Sequence, residues 1–403
     1  MIERQQYCVL PDNISNRIHC CSTAVIFHLY YEEMITNVLE YIDRIPAEVD
    51  VYVISPKKVI LSVLKEECGD KHLTMINKPN RGRDVAALLI SCRDIVFKYR
   101  YICFLHDKKP IRDGLSKDTN LWLMNLWENM LASEDYIRNV YKLFVDHDEY
   151  GLLLPPERYG EYFNDWLKSK WGRNFETTRD LAYKLRLNAN VELEYPSFSL
   201  GTTLWCRTEV LKKLIDYPWK YEEFQDEPMD DDGTISHAIE RIFPYLANDA
   251  GYCTRTVVST GYCSGLLSYA QSASRAFVSE LENMVGVSRI SDIHKLNDVK
   301  NQVVKAKNAG KKVFIYGAGN EGKYCLRYIR SLGIEPEAFV ESNTQGLRYV
   351  EGLVTRKASD VSWKNDDVLV IISPYCGAIK KEIAMKLKIL GVEDYIFWKN
   401  EYE

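Results

Sequence analysis

Residues 101–110 read YICFLHDKKP, and the way this stretch ends decides the fold. Tyr101 to Leu105 are fit for burial, whereas His106, Asp107, Lys108 and Lys109 are not. A short apolar run that stops in charge reads as a buried strand with a polar carboxyl end. Upstream, TAVIFHLY (23–30), DVYVISP (50–56) and HLTMINKPN (72–80) are further strand runs. Helical spacing follows each: Met34, Val38, Leu39 and Ile42 after the first, KVILSVLKEEC after the second, and Val85, Leu88, Leu89, Cys92 and Val96 after the third. Strands alternating with helices predict right-handed crossovers and a mainly parallel α/β sheet covered on both faces. In such sheets ligands bind outside the carboxyl ends of the strands, so the charges of the quoted stretch fall on the expected binding edge.

The chain has 403 residues, too many for one typical core, and two domains are expected. Its net charge of −5 argues against a nucleic-acid binder, which needs a basic surface to neutralise phosphates. No apolar run reaches the roughly 18 residues of a membrane span. The start, MIERQQYCVLPDNISNRIHC, lacks the basic-then-apolar order of a secretory signal. The 11 cysteines are odd in number, scattered and without a CxxC. Cys92, Cys103, Cys206 and Cys325 sit inside apolar runs, which suggests free buried thiols and a cytoplasmic protein, and speaks against a zinc site. Trp122, Trp127 and Trp219 could face a lipid but fit core positions better.

Farther along, LWLMNLWENML reads as an amphipathic helix and YGLLLPP as a strand running into a Pro-Pro stop. A polar, helix-prone stretch, 271–304, separates a first domain, 1–270, from a second, 305–403. Four clusters of the first domain could carry chemistry. In NKPNRGRDVAALL, Asn80 can cap a helix, Gly82 allows a tight turn or a close ligand approach, and Arg81 and Arg83 would project where the helix dipole favours anions. A capped helix with solvated arginines explains that stretch alone. Beside His106–Lys109 at the same sheet edge, it forms a cationic rim suited to a diphosphate. In PSFSLGTTLWCR, Gly201, Thr202 and Thr203 make a small turn that could admit a sugar, or simply lead into a strand. In EPMDDDGTISHAIERIF, Ile235, Ala238, Ile239, Ile242 and Phe243 form a buried stripe, with His237, Glu240 and Arg241 on the opposite face. Asp230, Asp231 and Asp232 precede that helix, either as ordinary acidic caps or as the seat of a general base.

Together NRGRDVAALL, YICFLHDKK, GLLLPP, SLGTTLWCR and DDDGTISHAIERIF resemble the rhamnan synthesis protein F family of bacterial polysaccharide glycosyltransferases, over residues 20 to 265. The resemblance implies a GT-A-like nucleotide-sugar domain. Its activity would be sugar transfer onto a growing cell-surface glycan, with L-rhamnose from dTDP-L-rhamnose the best guess and inversion the expected outcome. It places donor binding at Gly82, Arg83, Asp84, His106, Asp107, Lys108 and Lys109. Gly201, Thr202 and Trp205 would shape the donor or acceptor pocket. Asp232 would be the base, with Asp231 in reserve and His237 and Glu240 as lesser candidates. In GT-A proteins the fourth strand commonly ends in an Asp-x-Asp motif that binds a divalent metal. Here His106 and Lys108 stand in those places, with Asp107 between them. A lysine is a poor neighbour for a hard cation, so transfer without a metal is expected, with Mg²⁺ or Mn²⁺ as the alternative. The implied partners are a nucleotide-sugar donor and an oligosaccharide or lipid-linked acceptor, the latter with peripheral attachment to the inner face of a membrane.

In the second domain VFIYG, EAFVES, DVLVIISP and DYIFW are strands. GAGNEG, through Gly317, Gly319 and Gly322, follows the first strand and opens a helix, and Glu341 ends the next strand about twenty residues on. That is the context of a Rossmann nucleotide site, although the domain is short for a full dinucleotide fold, and a structural or docking role fits as well. Two other functions compete with transfer: an NAD-dependent nucleotide-sugar oxidoreductase or epimerase, and a non-catalytic glycan-assembly subunit.

Overall fold

The fold is that of a computed structural model, which describes residues 7–15, 17–69, 73–108, 125–156, 171–193, 201–230, 232–286, 290–344, 346, 348–363 and 367–399. The chain divides into two compact units, Met1–Ser268 and Tyr269–Glu403.

In the first unit the strands are β1 (Tyr7–Leu10), β2 (Thr23–His28), β3 (Asp50–Ser55), β4 (Leu73–Asn77), β5 (Tyr101–His106), β6 (Tyr150–Leu154), β7 (Leu204–Arg207) and β8 (Cys253–Ser259). They form one sheet in the order β1-β8-β6-β7-β5-β2-β3-β4. Neighbours run parallel except at β7, which is antiparallel to both β5 and β6. Alternate side chains of each central strand enter opposite cores. Ala24, Ile26, Ile102, Phe104, Leu204 and Cys206 pack under the helical turns 83–96 and the helix Ile235–Asp249. Val25, Phe27, Cys103, Leu105 and Trp205 pack under the helices Ile35–Asp43, Lys58–Glu67 and Glu134–Asp146. Both faces being covered, β2 and β5 are buried at every position, which is why they read as unbroken apolar runs.

Two helices depart from the pattern read in the sequence. The turns after Arg83 are α-helical to Ala86, π-helical over Ala87–Ser91 and α-helical again over Arg93–Val96. A π-turn of this kind commonly marks a functional region. The helix Ile235–Asp249 is buried on more than one stripe: Arg241, expected on a solvated face with His237 and Glu240, is only 3% exposed. Tyr245, Leu246 and Ala247 are buried as well, because this helix lies within the core layer.

At the far edge β1 lies parallel to β8, and Asp12 just beyond β1 accepts hydrogen bonds from the amides of Thr260 (2.9 Å) and Gly261 (2.8 Å). Those amides open the helix Thr260–Val285, and a carboxylate there satisfies donors that have no intrahelical partner.

The second unit holds β9 (Lys312–Tyr316), β10 (Ala338–Glu341), β11 (Arg348–Val350), β12 (Leu353–Lys357), β13 (Val368–Ile372) and β14 (Tyr395–Phe397). Their order is β11-β12-β10-β9-β13-β14, parallel except for the β11–β12 hairpin. Glu351 and Gly352 turn that hairpin with φ of 49° and 82°, as a two-residue primed turn requires. Leu296, Val299 and Val303 of the helix Ile290–Asn308 belong to this unit's core, so the stretch read as a linker carries packing residues.

Among the described residues no helix is long and apolar enough to cross a membrane. No disulfide forms among them, and Cys92, Cys103, Cys206 and Cys325 are buried. Trp127 and Trp219 are core residues; Trp122 lies outside the described residues.

Candidate functional site

The sheet of the first unit changes direction of assembly between β2 and β5: β3 and β4 lie on one side, β7, β6 and β8 on the other. Such a switch point leaves a crevice at the carboxyl ends of the two strands. The residues placed there, His28 and His106, are direct partners in the strand register, and both are buried. Burial pushes the pKa of His28 down to about 3, with Lys78 and His106 adding to the fall and Asp84 opposing it, so His28 is neutral at pH 7.

Asp84 reaches the same strand ends from the turn after β4. Gly82 makes that turn with φ of 68°, and a Cβ there would sit 2.5 Å from the Ala86 Cβ and 2.8 Å from the Phe224 ring. Gly82 therefore serves close packing and not an open approach for a ligand. Asp84 Oδ2 lies 3.8 Å from His106 Nδ1 and has no hydrogen-bond partner. Burial raises the pKa of Asp84, but His106 outweighs it and holds the carboxyl below its usual range. A buried anion is thus retained beside two imidazoles. Gly201 (φ 82°) lies over His106, with its Cβ position 3.2 Å from Cε1, and His106 Nδ1 donates to the Thr202 carbonyl at 3.3 Å. Thr202 and Thr203 bury hydroxyls that have no hydrogen-bond partner. Of the expected pocket residues, then, Gly201 and Thr202 meet the strand end. Trp205 does not: it is 0% exposed and donates Nε1–H to the Met130 carbonyl at 3.0 Å in the opposite core layer.

The expected cationic rim is largely neutralised. Arg83 pairs with both oxygens of Glu227 (2.8 and 2.9 Å). Arg81 donates to the Phe224 carbonyl and pairs with Asp226 at 3.0 Å. Lys78, buried just past β4, donates to the Arg81 carbonyl at 3.1 Å, and burial lowers its pKa to about 8. Lys108 has its pKa lowered by burial, against the pull of Glu240 and Asp84 and with the push of Arg83 and Arg241. Lys109 lies outside the described residues, as does Asp231.

Asp107 is a clamp. Its Oδ2 accepts from the amides of Tyr30 and Tyr31, both at 2.8 Å, and fixes the turn that leaves β2. Burial raises its pKa to about 6, with the two amides and His106 opposing the rise and Asp84 adding to it. A folded-state pKa above the unfolded value of 3.8 means that the folded chain binds the extra proton. Asp107 thus costs nothing below pH 3.8, and its penalty grows as pH rises from there through 6. Asp107→Asn keeps a carbonyl for both amides. It is expected to raise stability at pH 7.5 by up to about 3 kcal/mol and to leave it unchanged at pH 4, read from urea melts at the two pH values. A loss of stability at pH 7.5 would show that the charge itself is needed.

Asp232 also closes a turn: Oδ2 accepts from the Arg173 amide (2.9 Å) and Oδ1 from Asn174 Nδ2 (2.5 Å), while Asn174 Oδ1 accepts from the Gly233 amide (3.0 Å). Against the rise that burial would cause, those donors and His237 lower its pKa. His237 Nδ1 is 2.9 Å from the Thr234 hydroxyl. Glu240 is different. It stands one turn farther along the helix, pairs with Arg241 at 3.2 Å and is a principal attraction on Lys108. His28, Lys78 and the acids Asp226 and Glu227 were not read as site residues. The signal for His28 was present, since TAVIFH and YICFLH both end on histidine.

A divalent cation of the kind an Asp-x-Asp strand end would hold does not fit these residues. Asp107 is committed to two amides, a lysine follows it, and among the described residues no group of three or more His, Cys, Asp or Glu could hold a metal ion.

In the second unit the order β12-β10-β9-β13-β14 has its own switch point between β9 and β13. The three glycines play different parts in the turn between β9 and the helix Asn320–Ser331. Gly317 ends β9 with φ of 98° against Ser373 and Pro374; Gly319 has nothing within 4 Å of its Cβ position. Gly322 lets the helix Asn320–Ser331 touch the strand, since a Cβ would lie 2.0 Å from the Gly317 carbonyl oxygen. Glu341 ends β10 and pairs with Arg348 at 3.1 Å.

The first unit is an α/β protein of the kind that works at the ends of its strands, with a buried carboxylate, two imidazoles and a lysine at the switch point. The chain belongs to the rhamnan synthesis protein F family, whose model matches residues 4–252. Membership ties it to rhamnan or polysaccharide synthesis. It is also similar to the uncharacterized protein WxcX of Xanthomonas campestris pv. campestris, with 25% identity over 263 residues, covering 64% of this chain and 36% of the relative. The WxcX of strain B100 is 24% identical over 270 residues, with the same coverage. The chain thus spans about a third of the length of these relatives.

Proposed function

We propose that the first unit is a GT-A-like glycosyltransferase that moves a hexosyl group, with L-rhamnose from dTDP-L-rhamnose the first choice, to a growing cell-surface polysaccharide. The observation that carries the reading is the buried polar cluster where β2 and β5 end, followed just past β5 by Lys108, on which Glu240 exerts an attraction. Lys108 can stabilise a leaving diphosphate; Glu240 can take a proton. In this mechanism Glu240 removes the hydrogen of an acceptor hydroxyl as its oxygen attacks the anomeric carbon. The bond from that carbon to the diphosphate oxygen breaks, and the nucleoside diphosphate leaves with the electron pair beside Lys108. One displacement inverts the anomeric centre. Glu240 is preferred to Asp232 as the base because Asp232 gives both oxygens to the 171–174 turn. Asp84 and His106 shape the crevice without touching the diphosphate, since a retained anion repels it. The sugar and nucleotide choices rest on the family alone.

The reading includes transfer without a metal. With dTDP-, UDP- and GDP-sugars and a glycan acceptor, transfer is expected to persist in EDTA. Loss in EDTA with recovery in Mg²⁺ or Mn²⁺ would overturn the metal-free step. Thermal shifts with the same donors, and with NAD(H) on the full chain, separate the competing functions. A shift with NAD(H) alone favours an oxidoreductase acting through Gly317, Gly319 and Gly322. The neutralised Arg81 and Arg83 favour a non-catalytic subunit, and no shift with any ligand would bear that out.

A further inference from the structure

The second unit has a trough of about 850 Å³ along β12, within the roughly 300–1,000 Å³ of small-molecule sites. Every residue of β12 lines it, with Glu335–Glu337 ahead of β10 at one end and Thr344 and Gly346 beyond β10 at the other. Tyr349 of β11 lies opposite Val354 in the hairpin, and Arg356, two residues on, shares that face of β12. Tyr349 lines the trough and is 63% exposed, a ring left bare where a flat apolar surface can stack on it. Glu335 is held by Arg330, at 2.8 and 2.6 Å. The other charges of the lining are Glu337, Asp360, Arg356 and Lys357, two acids against two bases. Asp360 accepts from the Ser359 hydroxyl at 2.8 Å; Glu337, Arg356 and Lys357 have no side-chain partner among the described residues.

We infer that this trough binds a neutral oligosaccharide, a segment of the polysaccharide to whose synthesis the family is tied. Carboxylates only accept hydrogen bonds, and lysine and arginine only donate them. A sugar hydroxyl does both, so one ligand group satisfies the acids and the bases of the lining alike. A phosphate drawn to Arg356 and Lys357 would meet the repulsion of Glu337 and Asp360, and a cation would meet the reverse. The apolar face of a sugar ring lies against Tyr349. The five residues of β12 span about 13 Å, which suits several linked rings better than one. The inference needs the family's tie to polysaccharide but not the transferase reading, and its test measures binding and not transfer.

Titration calorimetry of the full chain with a rhamnan tetrasaccharide is expected to show binding. Tyr349→Ala should weaken it about tenfold, the worth of one aromatic contact, whereas Tyr349→Phe should bind as the wild type does. Arg356→Ala should weaken it as well. Tyr349 and Arg356 are both exposed, so thermal melts of these variants should match the wild type. Absence of binding would overturn the inference. So would binding that neither Tyr349→Ala nor Arg356→Ala changes, which would place the sugar elsewhere in the chain. Inorganic pyrophosphate that binds the full chain and is lost on Arg356→Ala would overturn it too, by assigning the trough to an anion.

Discussion

Glu240→Gln is expected to lower the turnover number for sugar transfer by roughly 10²–10⁴-fold, the usual contribution of a positioned general base. The substitution keeps the shape of the side chain and an acceptor for Arg241, its 3.2 Å partner, so the KM for donor should change little. Asp232→Asn provides the contrast. It weakens the hold on the Arg173 amide and the Asn174 side chain, and its effect should fall on stability more than on turnover. Kinetics of both variants with saturating donor decide the matter. Near-normal turnover in Glu240→Gln together with a collapse in Asp232→Asn would return the base to the aspartate.

The second large effect is structural. Trp205→Ala should destabilise the first unit by about 3–5 kcal/mol, the range for removing a fully buried aromatic ring. Trp205 has no exposure, fills the layer between β5 and the helix Glu134–Asp146, and satisfies the Met130 carbonyl. Removing it leaves a void and an unpaired acceptor together. Denaturant melts of the full chain, followed through the first unit's transition, measure the loss. A variant of unchanged stability that fails to shift with donor would instead make Trp205 a pocket wall.

The strands around the site were legible in the sequence because β2, β3 and β5 are buried on both faces and bear no polar interruption. Their carboxyl-end location followed from topology alone. Pairing direction was not legible: β7 is a four-residue strand whose reversal depends on where β6 and β5 lie, and nothing local encodes that. The roles of charged residues were harder still. Arg81 and Arg83 look available in the sequence, and only the fold brings Asp226 and Glu227, over 140 positions away, against them. Asp107 looked like a ligand and serves the turn after β2, because its partners are backbone amides, which every residue but proline carries. Arg241 misled through periodicity, which separates faces for a surface helix but not for one inside a core layer.

The pairing of β1 with β8 has a consequence for synthesis. Of the strands of the first unit β1 is made before the others, and among the described residues its neighbour in the sheet lies at 253–259. At 5–20 residues per second it waits roughly 10–50 s for that neighbour to be made. The delay is tolerable because β1 is half-exposed even when placed, with Tyr7 and Val9 outward, so a nascent chain carries little sticky surface there. Completion of the sheet and capping of the helix Thr260–Val285 by Asp12 then fall together, late, as a closing step that ties the beginning of the first unit to its end.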